Sequence, residues 1–217
     1  MKAVNARILH AALRVFADKG SMQIAVSDLA KEAGLSRGTI YNNVENPDEL
    51  FNQICDLLYY ELRQAMRENT AHLDDPAQRL ALVMRQTIRR VHEEHHWGKF
   101  IAQFGMLDPR LGKFWGKLPR RLLMEGLESG RFSFDEEQLP SITALGGGAV
   151  MGATSMVLSG LLTWRQSSAD TAELYLRAIG VPRDEARAIC TRRFEPLPRL
   201  DFTRIDLPKP VEESVPS

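Results

Sequence analysis

Apolar residues recur every three or four positions along most of this chain, the spacing expected of helices that bury one side. The first of these stripes consists of Ile8, Ala12, Leu13 and Phe16, and Gly20 is placed to end its helix. The same three- or four-residue spacing of apolar positions recurs in successive segments up to about residue 194. The pattern therefore predicts an all-α protein.

Residues 25–44, AVSDLAKEAGLSRGTIYNNV, contain two short helices joined by a turn. Gly34 suits the left-handed position just past the end of the first helix. Ser36 offers a cap oxygen to the second helix, which we expect to cover residues 37–43. Two helices joined by a short glycine-containing turn are typical of the helix-turn-helix motif, whose second helix lies in the DNA major groove.

The second helix of this motif has an apolar and a polar side. Ile40 and Val44 lie four residues apart and share the inward side. Glycine inside a helix costs about 1 kcal/mol relative to alanine, which a close approach of the backbone to DNA would justify at position 38. On the polar side Asn42 or Asn43 could pair with adenine. The expected DNA contacts on this helix and its cap are Ser36, Arg37, Gly38, Thr39, Tyr41, Asn42 and Asn43.

A fourth helix leads away from this head into a second domain. Asn46 and Pro47 suit its first positions, and an apolar stripe then runs from Leu50 to Leu62. Further helices are expected from Asp75-Pro76, around residues 97–106, from Asp108-Pro109 to about 130 with a kink at Pro119, from Ser168 or Asp170 to 180, and over 183–194. Five of the eleven prolines follow Glu195, so residues 197–217 are expected to form an extended or disordered tail.

One segment, residues 139–164, is uncharged and long enough to span a bilayer. It contains five glycines, several hydroxyl side chains and Pro140, and no basic cluster lies close to one end. We therefore interpret it as a fully buried central helix that packs against its own domain and a partner subunit, and we expect no association with membranes.

Charge and cysteine usage are compatible with a DNA-binding protein in a reducing compartment. The chain has 28 basic and 28 acidic residues, yet residues 1–43 hold six basic and three acidic ones, a local charge of +3. Cys55 and Cys190 are two lone cysteines in apolar helical contexts, and the N-terminus shows no signal peptide. The expected location is the cytoplasm.

The segment from His92 to His96 reads HEEHH and satisfies H-E-x-x-H, in which two histidines one turn apart bind zinc and the glutamate activates water. A zinc-dependent hydrolase using His92, Glu93 and His96 is therefore an alternative. The motif falls at the end of a predicted helix beside Trp97, and no third ligand is evident. We favour a solvated helix end and expect neither a metal nor a cofactor.

A small-molecule pocket would be mostly apolar with a few polar groups. The large side chains of the second domain are the candidates for its lining, although each is individually more typical of a core. They are Trp97, Phe100, Phe104, Phe114, Trp115, Met151 and Trp164.

The first fifty residues resemble the TetR family of bacterial transcriptional regulators in order and spacing. The residues that carry the resemblance are Ile8, Leu9, Ala11, Ala12, Leu13, Phe16, Gly20, Val26, Asp28, Leu29, Ala30, Ala33, Gly34, Leu35, Ser36, Gly38, Thr39, Ile40, Tyr41, Asn43, Val44, Glu49, Leu50 and Phe51. The resemblance implies a helical homodimer that binds a palindromic operator and releases it when a small molecule binds.

The chain departs from that family at three places. Asn43 and Val44 stand where a histidine and an aromatic residue are usual, and Pro47 replaces a lysine that touches phosphate. Ala25 occupies the usual cap of the second helix, so Ser27 is a possible substitute and joins the expected DNA contacts.

Together these features predict a helix-turn-helix head over residues 1–50, a helical effector-binding and dimerisation domain over 51–196, and the tail over 197–217. The expected function is ligand-responsive repression of transcription. The alternatives are the zinc-dependent hydrolase, and an activator or nucleoid-structuring protein with the same head.

Overall fold

The computed structural model describes residues 3–44 and 46–204, without the side chains of Asp48, Lys113, Phe114 and Leu118. Within these residues all regular structure is helical, which confirms the predicted all-α fold. The α-helices are α1 (Ala3–Lys19), α2 (Val26–Ala33), α3 (Arg37–Asn43), α4 (Leu50–Thr70), α5 (Pro76–Glu93), α6 (His95–Phe104), α7 (Pro109–Glu128), α8 (Leu139–Leu158), α9 (Trp164–Ala178) and α10 (Arg183–Thr191). Short 3₁₀ turns at Pro47–Glu49 and Glu136–Gln138 precede α4 and α8.

Side-chain caps fix where several helices begin. Asp75 accepts from the backbone N–H of Ala77 at 2.9 Å, and a proline follows at the first helical position of α5. Asp108 caps α7 in the same way. Thr163 accepts from the backbone N–H of Gln166, so α9 begins at residue 164, one turn earlier than the sequence predicts.

The head packs on the second domain through an aromatic cluster. Phe16 of α1, Phe51 of α4, and Phe100 and Phe104 of α6 are all buried. The Phe51 ring lies 5.2 Å from that of Phe16 and 5.0 Å from that of Phe104, centroid to centroid. Edge-to-face pairs of this kind add to the energy of burial. A shift of α4 or α6 is therefore felt directly by α1.

The prediction for the uncharged segment is wrong about where its helix ends. The helix ends at Leu158, and residues 159–163 form the connection to α9. Within this chain the helix is buried on one side only, at residues such as Gly146 and Val150, and its burial against a partner subunit stays a prediction. Gly146 faces inward, where an added Cβ would lie 2.7 Å from the ring of Tyr175, whereas Gly148 and Gly152 face open space. Length and composition alone would also allow this helix to span a membrane, but a core helix meets the same criterion.

Residues 192–202, which we term the C-terminal strap, run back from α10 along α5 to the head. Leu197, Leu200 and Phe202 are buried. The backbone N–H of Leu200 donates to a carboxylate oxygen of Glu94 at 3.2 Å. The ring of Phe202 lies 4.6 Å from that of His10 in α1. The strap therefore connects the far end of the second domain to the head. The rest of the predicted tail, residues 205–217, lies outside the described residues.

Candidate nucleic-acid interface and effector cavities

The turn between α2 and α3 is held by its own backbone. Gly34 has φ +60°, which an L side chain rarely adopts, and its N–H bonds to the carbonyl oxygens of Ala30 and Lys31. Its own carbonyl accepts from Arg7 Nη2 of α1 at 3.2 Å. An added Cβ at Gly34 would lie 2.7 Å from the same nitrogen. The angle between α2 and α3 is thereby fixed.

Polar groups secure the start of α3 from within the helix. Ser36 Oγ accepts from the backbone N–H of Thr39 at 3.0 Å and lies 2.8 Å from its hydroxyl oxygen. Asn43 Nδ2 donates to the carbonyl oxygen of Thr39 at 2.8 Å. Ile40 is fully buried beneath. Thr39 and Asn43 are half-buried and already partly engaged in holding the helix.

The remaining residues predicted to contact DNA differ in how far they are exposed to solvent. Arg37, Gly38, Tyr41 and Asn42 are exposed on the side of α3 that faces away from the core. Ser27 is half-buried, and no side-chain bond caps α2 at Ala25. The residues free to reach a partner therefore come from the outer arc of α3.

The positive charge of the head is partly neutralised within it. Arg14 pairs with Glu32 at 2.5 Å, and Lys19 pairs with Asp28. Among the described residues of the helix-turn-helix, Lys31 and Arg37 remain exposed without an ion pair. The count of +3 from the sequence did not show which cations are free.

The zinc-protease motif is broken by the fold. α5 ends at Glu93, Glu94 has φ −126° and ψ +78°, and α6 begins at His95. His92 and His96 thus belong to different helices, and Glu93 pairs with Arg89 at 2.7 Å. In the described part of the chain, no group of three or more histidine, cysteine or acidic side chains is arranged to hold a metal ion.

Two family profiles match most of this architecture. Residues 8–54 match "Bacterial regulatory proteins, tetR family", and residues 75–192 match "Tetracyclin repressor-like, C-terminal domain". The chain belongs to the TetR family. This family consists of transcriptional regulators rather than enzymes, so the hydrolase alternative is not supported.

Relatives of known structure and sequence agree with this TetR-family assignment. RolR in complex with resorcinol is 28% identical, with a TM-score of 0.68 over 90% of this chain and 96% of that chain. FadR from Bacillus subtilis in complex with stearoyl-CoA is 21% identical, has a TM-score of 0.68 over 80% of this chain and 98% of that chain, and shares the fold. An HTH-type transcriptional regulator of Mycobacterium tuberculosis is 32% identical over 40% of this chain, which spans 43% of that relative's length.

The candidate pocket residues whose side chains are described do not line one common cavity. Trp97, Phe100 and Phe104 are fully or almost fully buried core residues, the last two in the aromatic cluster. Trp115 borders two small voids of about 20 and 10 Å³. Met151 is half-buried on α8, and Trp164 lies beside Arg89 and Phe194 at the start of α9. The side chain of Phe114 lies outside the described residues.

Two larger cavities lie in the second domain, and neither is lined by the residues expected in the pocket. One, of about 350 Å³, lies between α4 and α7 and is bordered by cations of both helices, among them Arg63, Arg67, Lys117 and Arg121. The other, of about 530 Å³, lies between the end of α4, α5 and the C-terminal strap. Sequence reasoning concentrated on aromatic residues and therefore missed both.

Proposed function

We propose that this protein is a ligand-responsive transcriptional repressor that acts as a homodimer on a palindromic operator and works in the cytoplasm. The observation that carries the proposal is the outer arc of α3. Arg37, Tyr41 and Asn42 are exposed there, on a helix whose start and angle are fixed by Ser36 and Gly34. A rigid helix with free hydrogen-bonding groups is what readout in a major groove requires.

Each contact can be assigned by chemistry. Asn42 pairs with adenine, because its amide is free, whereas the Nδ2 of Asn43 is engaged within α3. Arg37 binds guanine or a phosphate. Tyr41 binds a phosphate, and the half-buried Thr39 offers a methyl group to a thymine. Gly38 allows the backbone to approach the DNA closely.

The exposed face of α8 and α9 supports a homodimer. Leu145 on α8 is 52% exposed and Leu174 on α9 is 60% exposed. Gly148 and Gly152 leave space for a close approach, since nothing in the described part of the chain lies within 4 Å of an added Cβ. Apolar surface of this kind marks an interface between proteins. Twofold pairing would present two copies of α3 to half-sites about 34–36 Å apart, or a multiple of that distance.

Ligand control is supported by the relatives and by the packing between the domains. RolR binds resorcinol and the Bacillus subtilis FadR binds stearoyl-CoA. In this chain the aromatic cluster ties α1 to α4 and α6, so a ligand that moves these helices changes the spacing of the heads. Such a ligand must bind the two spacings with different affinities.

Selection of binding sites from fragmented genomic DNA tests the proposal. The wild-type protein should enrich an inverted repeat, and a footprint should cover a single repeat near a promoter. The double variant Arg37→Ala/Asn42→Ala should lose the enrichment, while Arg187→Gln, which removes an exposed cation of α10, should retain it. Continuous footprints without a repeat would instead indicate a nucleoid-structuring protein.

A further inference from the structure

The cavity beneath the C-terminal strap combines apolar walls with an unusual polar floor. It encloses about 530 Å³, within the range of small-molecule sites. Leu73, Leu82, Ile189 and Phe194 supply apolar surface, and two consecutive α5 residues, Arg85 and Gln86, supply the buried polar groups.

Arg85 carries a buried charge that nothing in the described chain neutralises. Its residue surface is 8% exposed, and its Nη1 donates to the carbonyl oxygen of Arg192 at 2.9 Å. Its Nε is buried without a hydrogen-bond partner, and no carboxylate within the described residues pairs with it. Burial lowers its pKa, and the thiol of Cys190, itself held protonated by a pKa of about 11, offers no counter-charge. An unpaired buried guanidinium is costly unless an anion accompanies it.

Gln86 adds an unsatisfied acceptor to the same cavity. Its residue surface is 2% exposed, and its Nε2 donates to the carbonyl oxygen of Glu195 at 3.0 Å. Because a carbonyl oxygen can only accept, this bond settles which amide atom faces the strap. The Oε1 atom is left buried, and no described residue donates to it. Leaving a buried donor, Arg85 Nε, and a buried acceptor, Gln86 Oε1, without partners costs free energy that a suitable ligand would recover.

The remaining charges at the cavity are exposed. They belong to Arg192, Arg193 and Glu195 of the strap and to Glu68 of α4. Arg192 donates to the Oε1 atom of Gln78, and Glu68 accepts from Gln64, so both are engaged on the surface. The buried charge is thus Arg85 alone among the described residues that line this cavity.

We infer that this cavity binds a small organic carboxylate with an apolar body, whose carboxylate pairs with Arg85 and whose hydroxyl or amide N–H donates to Gln86. A planar carboxylate matches the guanidinium fork, and the apolar body fills the space beside Leu82 and Ile189. The Phe194 ring stacks over the Arg85 guanidinium at 4.4 Å, so the ligand enters by displacing the strap locally.

A ligand that enters under the strap can affect the head, because the strap also contacts α1. The strap continues from Phe194 to Phe202, whose ring contacts His10 of α1. A ligand that lifts residues 192–195 weakens the anchor between α5 and α1. This step, unlike the binding site itself, rests on the function proposed above.

Isothermal titration calorimetry on the full chain tests the site without DNA. The probes are benzoate, 4-hydroxybenzoate, hippurate and octanoate, with benzamide and phenyl phosphate for comparison. At least one carboxylate should bind at one site per chain, and benzamide should bind at least tenfold more weakly. Arg85→Gln should weaken the best carboxylate at least tenfold, while Arg187→Gln should leave it within twofold. The inference is overturned if none of the four binds, if Arg85→Gln has no effect, or if phenyl phosphate binds more tightly than benzoate.

A second variant guards against loss of folding in Arg85→Gln. Leu82→Trp fills the cavity while retaining the charge, and it should weaken the same carboxylate at least tenfold. Unchanged binding in a folded Leu82→Trp variant would place the ligand elsewhere. Anisotropy with the selected repeat then tests the effect on the head. A carboxylate that binds but leaves the affinity for DNA unchanged refutes the coupling between the cavity and the head. A protein that selects no DNA sequence refutes the proposed function, whereas the calorimetry still tests whether the cavity binds a carboxylate.

Discussion

Replacing Gly38 by alanine should stabilise the fold and weaken DNA binding. It lies in the first turn of α3, and an added Cβ would meet only Ser36 Oγ, at 3.8 Å, an ordinary van der Waals contact. Nothing in residues 3–44 and 46–204 therefore requires glycine there. In a helix, alanine is favoured over glycine by roughly 0.5–1 kcal/mol. Gly38→Ala should accordingly raise the free energy of unfolding by about that amount, which corresponds to a rise in Tm of about 1–4 °C for a chain of this size.

The same methyl group should weaken DNA binding. If the α3 backbone lies against the DNA, the extra group forces a shift that costs about 1–3 kcal/mol at each half-site, by analogy with overpacked interiors. The dissociation constant should then rise at least about tenfold. Thermal unfolding and fluorescence anisotropy with the selected repeat measure the two effects.

A matched control is available on α7. Gly116 is also helical, and no atom of the described residues lies within 4 Å of an added Cβ, so Gly116→Ala should bring a similar gain in stability with unchanged DNA affinity. A Gly38→Ala variant that is more stable and binds the repeat like wild type would refute the close approach of α3.

Further outcomes follow from the same structure. Asn42→Ala should weaken operator binding by about 1–3 kcal/mol and relax the preference at one base pair, more than Asn43→Ala, as measured by anisotropy with single-base variants of the repeat. Burial and then Arg14 lower the pKa of His10, although Asp201 and Glu94 act in the opposite direction. The neutral His10 therefore contributes stability to the folded state above pH 6.5, and this contribution is lost as the pH falls from 6.5 toward the lowered pKa. The Tm of wild type should accordingly fall over this pH range, and the Tm of His10→Gln should fall less. Leu145→Glu should give single-chain mass by light scattering, whereas Leu107→Glu, at a leucine that is exposed at least as much but lies off the α8 face, should not.

The head could be predicted from sequence because its signals are local. Gly34, Ser36 and the spacing of Ile40 and Val44 each specify conformation within a few residues, and α3 has the predicted bounds. Local patterns also explain the caps at Asp75 and Asp108.

Other features depend on distant contacts and could not be predicted. The strap is set by bonds from α5 to residues more than a hundred positions away, such as that from Arg85 to Arg192. Phe100 and Phe104, which the sequence analysis expected in a pocket, lie in the aromatic cluster between the domains, where the Phe100 ring is 6.4 Å from that of Phe16 in α1. The inward side of α8 is set by Tyr175, and composition alone does not show that its other side is open.

The central claim is that two copies of α3 read one inverted repeat along one face of DNA. Its most direct test is an anisotropy titration with the selected repeat and with the same repeat carrying about five extra base pairs between the half-sites, half a helical turn. We predict two chains per repeat and at least about a tenfold loss of affinity on the lengthened DNA. Equal affinity for both DNAs, or binding of one chain, would contradict the claim.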